Sequence, residues 1–290
     1  MEEMNEQTAV TPLINPDIEF VTNAAEKIKN EIAKVIVGQD SAIELMLSAL
    51  FIGGHILLEG VPGIAKTLTA KMLAKTISVD FSRIQFTPDL MPTDIVGTSV
   101  FNLKESEFRF RPGPVFSNIV LIDEINRSPA KTQAALFELM EERQVSVDGT
   151  TYPMEYPFMV LATQNPIEQE GTYRLPEAQL DRFIFKIVME YPNFEEEKLI
   201  LHRFNNDFSS KITREVHAVV NAADIKRCSE IVEKIFIKDE IIHYIAHIVH
   251  ETRNHGDLFL GASPRASLSL LKASKAMAAI SGREFVTPDD

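Results

Sequence analysis

Residues His55–Thr67 read HILLEGVPGIAKT, a short apolar run that stops at a glycine-rich stretch. The segment that follows, Lys66–Ile77, has the apolar spacing of a helix. A strand, a glycine-rich turn and a helix, in this order, are the context in which the pattern G-x-x-x-x-G-K-[ST] binds phosphate. Residues Gly60–Thr67 match this pattern except at Ala65, which stands where the second glycine is usual. The stretch therefore predicts a phosphate-binding loop between a strand and a helix.

This loop predicts the binding of ATP together with Mg²⁺. Backbone N–H groups of the loop and of the helix N-terminus would point at the phosphates. Lys66 would add a positive charge, and the hydroxyl of Thr67 would bind Mg²⁺. The residues that we expect to bind the nucleotide here are Gly60, Val61, Pro62, Gly63, Ile64, Ala65, Lys66, Thr67 and Leu68. The alternative is a glycine-rich turn with a chance Lys-Thr pair, which the strand before it and the helix after it disfavour.

Two further polar sites follow apolar strands. The segment Ile119–Glu124 ends in Asp123, which fits a residue that directs Mg²⁺, and in Glu124, which fits one that polarises the attacking water. Many buried strands end in an acidic residue, but this pair follows the loop by about sixty residues, which makes the combination specific. Asn165 ends another apolar strand. We expect it beside Glu124 at the same edge of the sheet, unless Asn165-Pro166 merely forms a turn.

Short apolar strands alternate with helices as far as Tyr191-Pro192. This alternation is typical of a parallel sheet with helices on both faces, so we predict an α/β fold. Thr98–Arg111 and Gln144–Tyr152 have period-two patterns and predict two inserted β-hairpins. We therefore predict a polar tail (1–16), an α/β base (17–191) and an all-α domain (192–290). The ending Thr287–Asp290 has the form of a helix start, so we expect the native protein to continue beyond it.

The composition is that of a globular protein and disfavours several classes of function. Of the 290 residues, 45% are hydrophobic and 24% are charged, which are ordinary values. The formal net charge of −13 argues against a nucleic-acid partner, because such proteins usually present a basic face. The apolar stretch 45–58 is too short for a membrane span, and the acidic N-terminus is unlike a signal peptide. Cys228 is the one cysteine, so no intrachain disulfide is expected. We expect a cytoplasmic location.

Together these motifs resemble the MoxR family of AAA+ ATPases. The segments that carry the resemblance span nearly the whole chain, and they are GVPGIAKT (60–67), FTPDLMPTDIVG (86–97), FRFRPGPVF (108–116), IDEINRSPAKTQAA (122–135), LMEERQV (139–145), ATQNP (162–166), GTYRLPEAQLDRF (171–183) and GASPRA (261–266). Ala65 in the phosphate loop is itself typical of this family. The resemblance implies a P-loop base followed by a small helical lid.

The resemblance also implies roles for residues outside the loop. Val37, Gly38 and Gln39 match the segment that packs against adenine, and Asn165 would be the sensor of the base domain. Arg182 would be the arginine finger that reaches the γ-phosphate of the neighbouring subunit, or else a surface or capping residue.

Three more arginines lie in matching segments. Arg265 would be the lid sensor, contacting the nucleotide of its own chain. It follows Ser263-Pro264 in the first turn of a predicted helix, where a cation is unfavourable unless an anion lies nearby. Arg127 and Arg174 would contact either phosphate or a neighbouring subunit, and the sequence does not decide between these two kinds of contact.

The activity that the resemblance implies is Mg²⁺-dependent ATP hydrolysis by a homo-oligomeric ring, expected to be a hexamer. Hydrolysis would drive chaperone-like maturation or activation of partner proteins. Such partners often carry a von Willebrand factor A domain, and the task is sometimes metal or cofactor insertion. Alternatives are a nucleotide-gated scaffold, a chelatase-type or DNA-directed motor of the same clade, and a small-molecule kinase. The net charge disfavours the DNA motor, and an arginine finger would have no use in the kinase.

Overall fold

The computed structural model describes residues 15–165, 173, 175–205 and 211–290. The helices of these ranges are α1 (Pro16–Ala33), α2 (Asp40–Phe51), α3 (Lys66–Ile77), α4 (Pro92–Val96), α5 (Ala130–Glu142), α6 (Glu177–Leu180), α7 (Phe194–Phe204), α8 (Ala222–Glu233), α9 (Asp239–Asn254) and α10 (Pro264–Ile280). The strands are β1 (Ile56–Glu59), β2 (Phe81–Gln85), β3 (Gly97–Asn102), β4 (Glu107–Pro112), β5 (Ile119–Asp123), β6 (Gln144–Val147), β7 (Thr150–Pro153), β8 (Met159–Gln164) and β9 (Phe185–Val188).

Five strands form one parallel sheet in the order β2-β5-β8-β1-β9. All five residues of β5 are buried, as are the first five of β8, because helices cover both faces of the sheet. The strands run in one direction, so their C-terminal ends share one edge of the sheet, the carboxyl edge, and their N-terminal ends share the opposite amino edge. The predicted α/β fold is confirmed: β1 lies in the apolar run before the glycine-rich stretch, and β5 lies in the segment Ile119–Glu124.

The two predicted hairpins lie outside the main sheet and are confirmed. Strands β3 and β4 pair with each other, as do β6 and β7, both antiparallel. The hairpins also contact one another: the ring of Phe110 stacks on that of Tyr152 with centroids 4.3 Å apart, and the hydroxyl of Ser99 donates a hydrogen bond to Asp148 at 2.5 Å. The two insertions therefore form one unit.

The C-terminal helices share a hydrophobic core with the start of the chain. Residues of α8 and α10 belong to the same buried cluster as those of α1, α2 and α3. The hydroxyl of Thr22 in α1 donates to the carbonyl of Ala279 in α10 at 3.2 Å. The division at residue 192 stays a prediction, because this cluster crosses it. None of the helices in the described ranges is long and apolar enough to cross a membrane.

Candidate active site

The predicted phosphate loop lies at the carboxyl edge, between β1 and α3. Helix α3 begins at Lys66, and Ala65 just before it has left-handed backbone (φ 63°, ψ 18°). This conformation costs a residue with a Cβ about 1–2 kcal/mol. It is the reason that glycine is usual at this position, and Ala65 adopts it nonetheless.

The side chain of Lys66 is folded over the loop. Its ammonium group donates hydrogen bonds to the carbonyls of Gly60 at 2.5 Å and Val61 at 3.3 Å. Burial lowers the pKa of Lys66, and the nearby carboxylates of Asp123 and Glu124 partly oppose that effect. The ammonium is thus held at the mouth of the loop, where a phosphate would replace the carbonyl contacts.

A cavity of about 360 Å³ opens in front of the loop and brings most of the predicted site together. Six loop residues line it, which are Pro62, Gly63, Ala65, Lys66, Thr67 and Leu68. Asp123, Glu124 and Asn165 line the opposite wall. Ile64 is buried under the loop, and Val61 is partly buried beside the core. Arg83 and Gln85 of β2 also line it, so cationic, hydroxyl, carboxylate and amide groups meet here at the ends of four neighbouring strands.

The two acidic residues are held by different partners. Asp123, only 7% exposed, forms an ion pair with Arg83 (Nε–Oδ2 2.5 Å) and accepts a hydrogen bond from the hydroxyl of Thr163 at 3.2 Å. The carboxylate of Glu124 accepts a hydrogen bond from the amide of Gln85 at 2.7 Å and pairs with Arg127 at 3.1 Å. Arg127, which the sequence left undecided, thus contacts Glu124, whereas Arg174 lies outside the described residues.

Glu124 has a constrained backbone. Its φ of 57° is left-handed, which is uncommon for a residue other than glycine and is found where the surrounding structure imposes it. Here its N–H donates to the hydroxyl of Thr163 at 3.0 Å. The same hydroxyl contacts Asp123, so one side chain on β8 fixes both acidic residues of the site.

The sequence reasoning missed Thr163, Gln85 and Arg83. Arg83 and Gln85 occupy alternate positions of β2 and therefore point to the same side. In the parallel register Gln85 lies opposite Asp123, which brings both polar side chains of β2 to the acidic pair. The available signal was that strand 81–85 carries Arg83 and Gln85 at alternate positions. To connect them with the acidic pair, however, one has to know that β2 lies next to β5 in the sheet.

The segment predicted to contact adenine lies beside this cavity without lining it. Val37, Gly38 and Gln39 connect α1 to α2, and the amide of Gln39 donates to the carbonyl of Glu190 at 3.1 Å. Glu190 follows β9, the strand that pairs with β1. The segment is thus fixed at the carboxyl edge on the β9 side of the loop. Its contact with adenine stays a prediction.

The two predicted catalytic arginines lie at the opposite edge of the sheet. The guanidinium of Arg182 binds the carboxylate of Glu141 at 2.8 and 3.1 Å, and that of Arg265 pairs with the same carboxylate. Glu141 is in the last turn of α5, at the amino edge, and a cavity of about 310 Å³ there is lined by all three residues and by Gly54. At about 3.3 Å per residue, the stretch from Gly54 to Gly60 spans roughly 20 Å.

This placement corrects one expectation from the sequence. Arg265 does not contact the nucleotide cavity of its own chain, because α10 begins at the amino edge, where the hydroxyl of Ser263 donates to Asp181 at 2.5 Å. The anion that the first turn of α10 was expected to need is Glu141. Arg265 and Arg182 are therefore neighbours, although one comes from the lid and the other from the base.

A buried histidine connects the amino edge to the end of α5. Nδ1 of His55 accepts from the N–H of Val160 at 3.0 Å, and Nε2 lies 3.1 Å from the carbonyl of Met140, the residue before Glu141. These contacts define a neutral ring with its proton on Nε2. Burial lowers the pKa of His55 to about 4.

Comparison with known proteins agrees with this architecture. A family model described as "ATPase family associated with various cellular activities (AAA)" matches residues 55–185, and one described as "AAA lid domain" matches residues 250–290. The chain is 48% identical to the uncharacterised protein YeaC of Bacillus subtilis, over 91% of this chain and 82% of that one. It is 46% identical to the chaperone MoxR1 of Mycobacterium tuberculosis, over 90% of this chain and 70% of that one. The crystal structure of a protein from Cytophaga hutchinsonii, named as a candidate ATPase, has a TM-score of 0.86 and 44% identity, covering 94% of this chain and 84% of that one.

The parallel sheet, its phosphate loop and the following helical lid define an ATPase fold of the AAA+ class. Within that class, the chain belongs to the MoxR family.

Proposed function

We propose that this chain hydrolyses ATP, with Mg²⁺, at sites shared between neighbouring subunits of a ring. The observation that carries the proposal is that two sets of charged residues lie at opposite edges of one sheet. Lys66, Asp123 and Glu124 line the cavity at the carboxyl edge, whereas Arg182 and Arg265 lie together at the amino edge. Head-to-tail association, which closes into a ring, would bring the amino edge of one subunit to the carboxyl edge of the next.

The residues at the carboxyl edge suit a nucleotide with Mg²⁺. The hydroxyl of Thr67 and the carboxylate of Asp123 are hard oxygen donors on the same cavity, and Mg²⁺ prefers a few such ligands completed by water and phosphate oxygens. When bound, Mg²⁺ would neutralise phosphate charge. Lys66 would bind the phosphates, Glu124 would accept the proton of the attacking water, and Asn165 would orient that water.

The arginines at the amino edge would complete the site of the neighbouring subunit. Arg182 is the predicted arginine finger, and its position supports action on another chain. For Arg265 we revise the proposed role from the nucleotide of its own chain to that of the neighbour. Arginines that stabilise transition-state charge from another chain accelerate phosphoryl transfer by about 10³–10⁵-fold. The isolated chain is therefore expected to be a poor ATPase.

The proposed biological task is chaperone-like maturation or activation of partner proteins. The similarity to a relative named as a chaperone supports it. The paired hairpins offer a surface for protein contact, since Leu103 and Phe108 on the first hairpin are 85% and 72% exposed. Partners with a von Willebrand factor A domain, a hexameric ring and a cytoplasmic location belong to the same proposal.

Two alternatives make different predictions. A nucleotide-gated scaffold would not need Glu124, yet this residue is held at the cavity by Gln85 and Arg127. A DNA-directed motor is disfavoured by the net charge of −13, and an ATPase rate stimulated by DNA in a salt-sensitive manner would revive it.

The proposal is tested by the ATPase rate per subunit as a function of protein concentration. The rate of the wild-type chain should rise with concentration, while Arg182→Ala should stay low at all concentrations. Arg214→Ala is a matched control, because Arg214 is exposed between α7 and α8 and lines neither the cavity at the carboxyl edge nor the one at the amino edge. Glu124→Gln should bind ATP without turning it over. Equal, concentration-independent rates for the wild type and Arg182→Ala would mean that the site is complete in one chain.

A further inference from the structure

We propose that Glu141 is a positioning residue that holds Arg182 and Arg265 as one unit for the phosphates of the neighbouring subunit's nucleotide. The inference rests on the proposed function, since it concerns the arginines that this function assigns to a shared site. It adds a residue of the base domain that touches no nucleotide and determines where both guanidinium groups lie.

The two arginines use different oxygens of the Glu141 carboxylate. Arg182 binds Oε2 through both Nη2 and Nε, whereas Arg265 binds Oε1. Because the contacts do not compete, the carboxylate holds both guanidinium groups at the same time. The distance between the two arginines is thereby determined by the width of one carboxylate.

The negative charge of Glu141 is needed for this arrangement. Two guanidinium groups repel each other at short range, and a shared carboxylate offsets that repulsion. Hydrogen bonding from Arg182 lowers the pKa of Glu141, so the carboxylate stays ionised at neutral pH. A neutral side chain of the same shape would leave the two cations unbalanced, and we expect them to separate.

The backbone around Glu141 is fixed from several sides. The carbonyl of the preceding Met140 is hydrogen-bonded to buried His55. The guanidinium of Arg182 lies 5.8 Å from the centre of the Phe137 ring, one turn before Glu141 in α5. Asp181 holds Ser263 at the start of α10, which sets the origin of the Arg265 side chain. The carboxylate therefore connects two arginines whose own backbones are anchored.

The arrangement leaves both arginines able to bind phosphate. An arginine has five N–H donors. The contacts of Arg182 use one N–H on each of its three guanidinium nitrogens, with Glu141 and with the carbonyl of Ala178. Arg265 uses Nη2 on Glu141. Among the described residues, the remaining N–H groups have no acceptor, and they are available to an anion that approaches the amino edge.

Mixed assemblies of variants test this proposal. Glu141→Gln removes the charge with little change in shape, and Glu142→Gln is the control. Glu142 is exposed on the same helix, and its side chain forms no hydrogen bond or ion pair with any described residue. We expect Glu141→Gln to lower kcat about 10- to 100-fold, since small displacements of catalytic groups have effects of this size. The affinity of the Glu141→Gln variant for ATP should stay within about two-fold of wild type, since Lys66 in the loop and Glu141 lie at opposite edges of the sheet.

Co-assembly with Glu124→Gln then identifies where Glu141 acts. Glu124→Gln subunits should not hydrolyse ATP at their own loops, but their Arg182 and Arg265 are held by an intact Glu141. They should therefore restore hydrolysis at the loops of neighbouring Glu141→Gln subunits. In random equimolar rings about one quarter of the sites would be complete, which predicts about one quarter of the wild-type rate. Glu141→Asp, which keeps the charge, should retain more activity than Glu141→Gln.

The outcomes separate the two proposals. Wild-type kcat in Glu141→Gln, or a loss that Glu124→Gln does not restore, would overturn the role of Glu141. An equal loss in Glu141→Asp and Glu141→Gln would overturn the need for the charge. The mixture of Arg182→Ala with Glu124→Gln is the reference for the shared site. If that mixture stays inactive, the proposed function itself fails.

Discussion

Arg265, the second residue of helix α10, forms an ion pair with Glu141 in the last turn of helix α5. This contact fixes the lid arginine at the amino edge of the sheet, beside Arg182, which binds the same carboxylate. The phosphate loop is at the other edge. Under the proposed function, the charges that act in phosphoryl transfer would be divided between the two edges of one sheet, and association of chains would bring them together.

Thr163 is expected to matter for turnover more than for ATP binding. Its hydroxyl accepts from the N–H of Glu124 and donates to Asp123, so Thr163→Val would leave the N–H without its partner and remove one of the contacts that position each acidic residue. A small displacement of groups that would act on water and Mg²⁺ predicts a fall in kcat of about 10-fold or more. Thr163→Ser keeps the hydroxyl and should stay close to wild type. Steady-state kinetics of both variants would check this, and an unchanged kcat in Thr163→Val would contradict it.

The backbone conformation of Ala65 predicts that a substitution in the predicted phosphate loop stabilises the protein. Its left-handed backbone suits glycine, so Ala65→Gly should remove a steric cost, partly offset by the greater freedom of glycine in the unfolded chain. We expect the free energy of unfolding to rise by up to about 1 kcal/mol, measured by urea denaturation. Ala70→Gly, in the middle of the same helix, should lower it by about 1 kcal/mol or more. Equal destabilisation by both variants would contradict the argument from backbone conformation.

The buried His55 is expected to make the folded protein less stable in mild acid. Burial lowers the pKa of His55 from 6.5 to about 4, so between these values the unfolded chain binds more protons than the folded chain. The free energy of unfolding therefore falls as the pH decreases through this window, by about 2 kcal/mol between pH 7 and pH 5.

Denaturation of His55→Gln at the two pH values measures this contribution. The variant should be less stable at pH 7, but its stability should change less between pH 7 and pH 5 than that of the wild type. His247→Gln, which replaces an exposed histidine of α9, should keep the wild-type difference. The same pH dependence in His55→Gln as in the wild type would show that another group is responsible.

Replacing Lys66 is expected to cause a large loss of affinity for ATP. A hydrogen bond to a charged group contributes about 1.5–3 kcal/mol, so Lys66→Ala should weaken ATP binding by at least about 10-fold. Lys71→Ala is a suitable control, because Lys71 is exposed on the same helix and does not line the cavity. Isothermal calorimetry measures the Kd for ATP of both variants. An unchanged Kd for Lys66→Ala would show that the loop is not part of the nucleotide site.

Local patterns in the sequence predicted the parts of the site that depend on one strand and its following turn. The loop at Gly60–Thr67, the acidic pair at the end of β5 and the two hairpins lie where the sequence predicts them, because each depends on short-range periodicity and turn residues. The hydrogen bond from Gln85 to Glu124 was not predicted, because it depends on which strands are neighbours in the sheet.

The position of Arg265 could not be predicted from the sequence, for a different reason. Motif order assigns this residue to the lid, but the side of the base on which the lid lies depends on packing between distant segments. Here α8 and α10 bury apolar residues against α1 and α2, and the start of α10 is held by Asp181 and Glu141. A pattern within a single helix does not encode these contacts.

The most direct test of a shared active site is the ATPase rate of an equimolar co-assembly of Arg265→Ala with Glu124→Gln. Each variant alone should be nearly inactive, the first because it lacks the lid arginine and the second because it lacks the group that polarises water. If Arg265 acts on the neighbouring subunit, random rings should recover about one quarter of the wild-type rate per subunit. If Arg265 acts on the nucleotide of its own chain, every site carries a defect and the mixture should stay as inactive as its components.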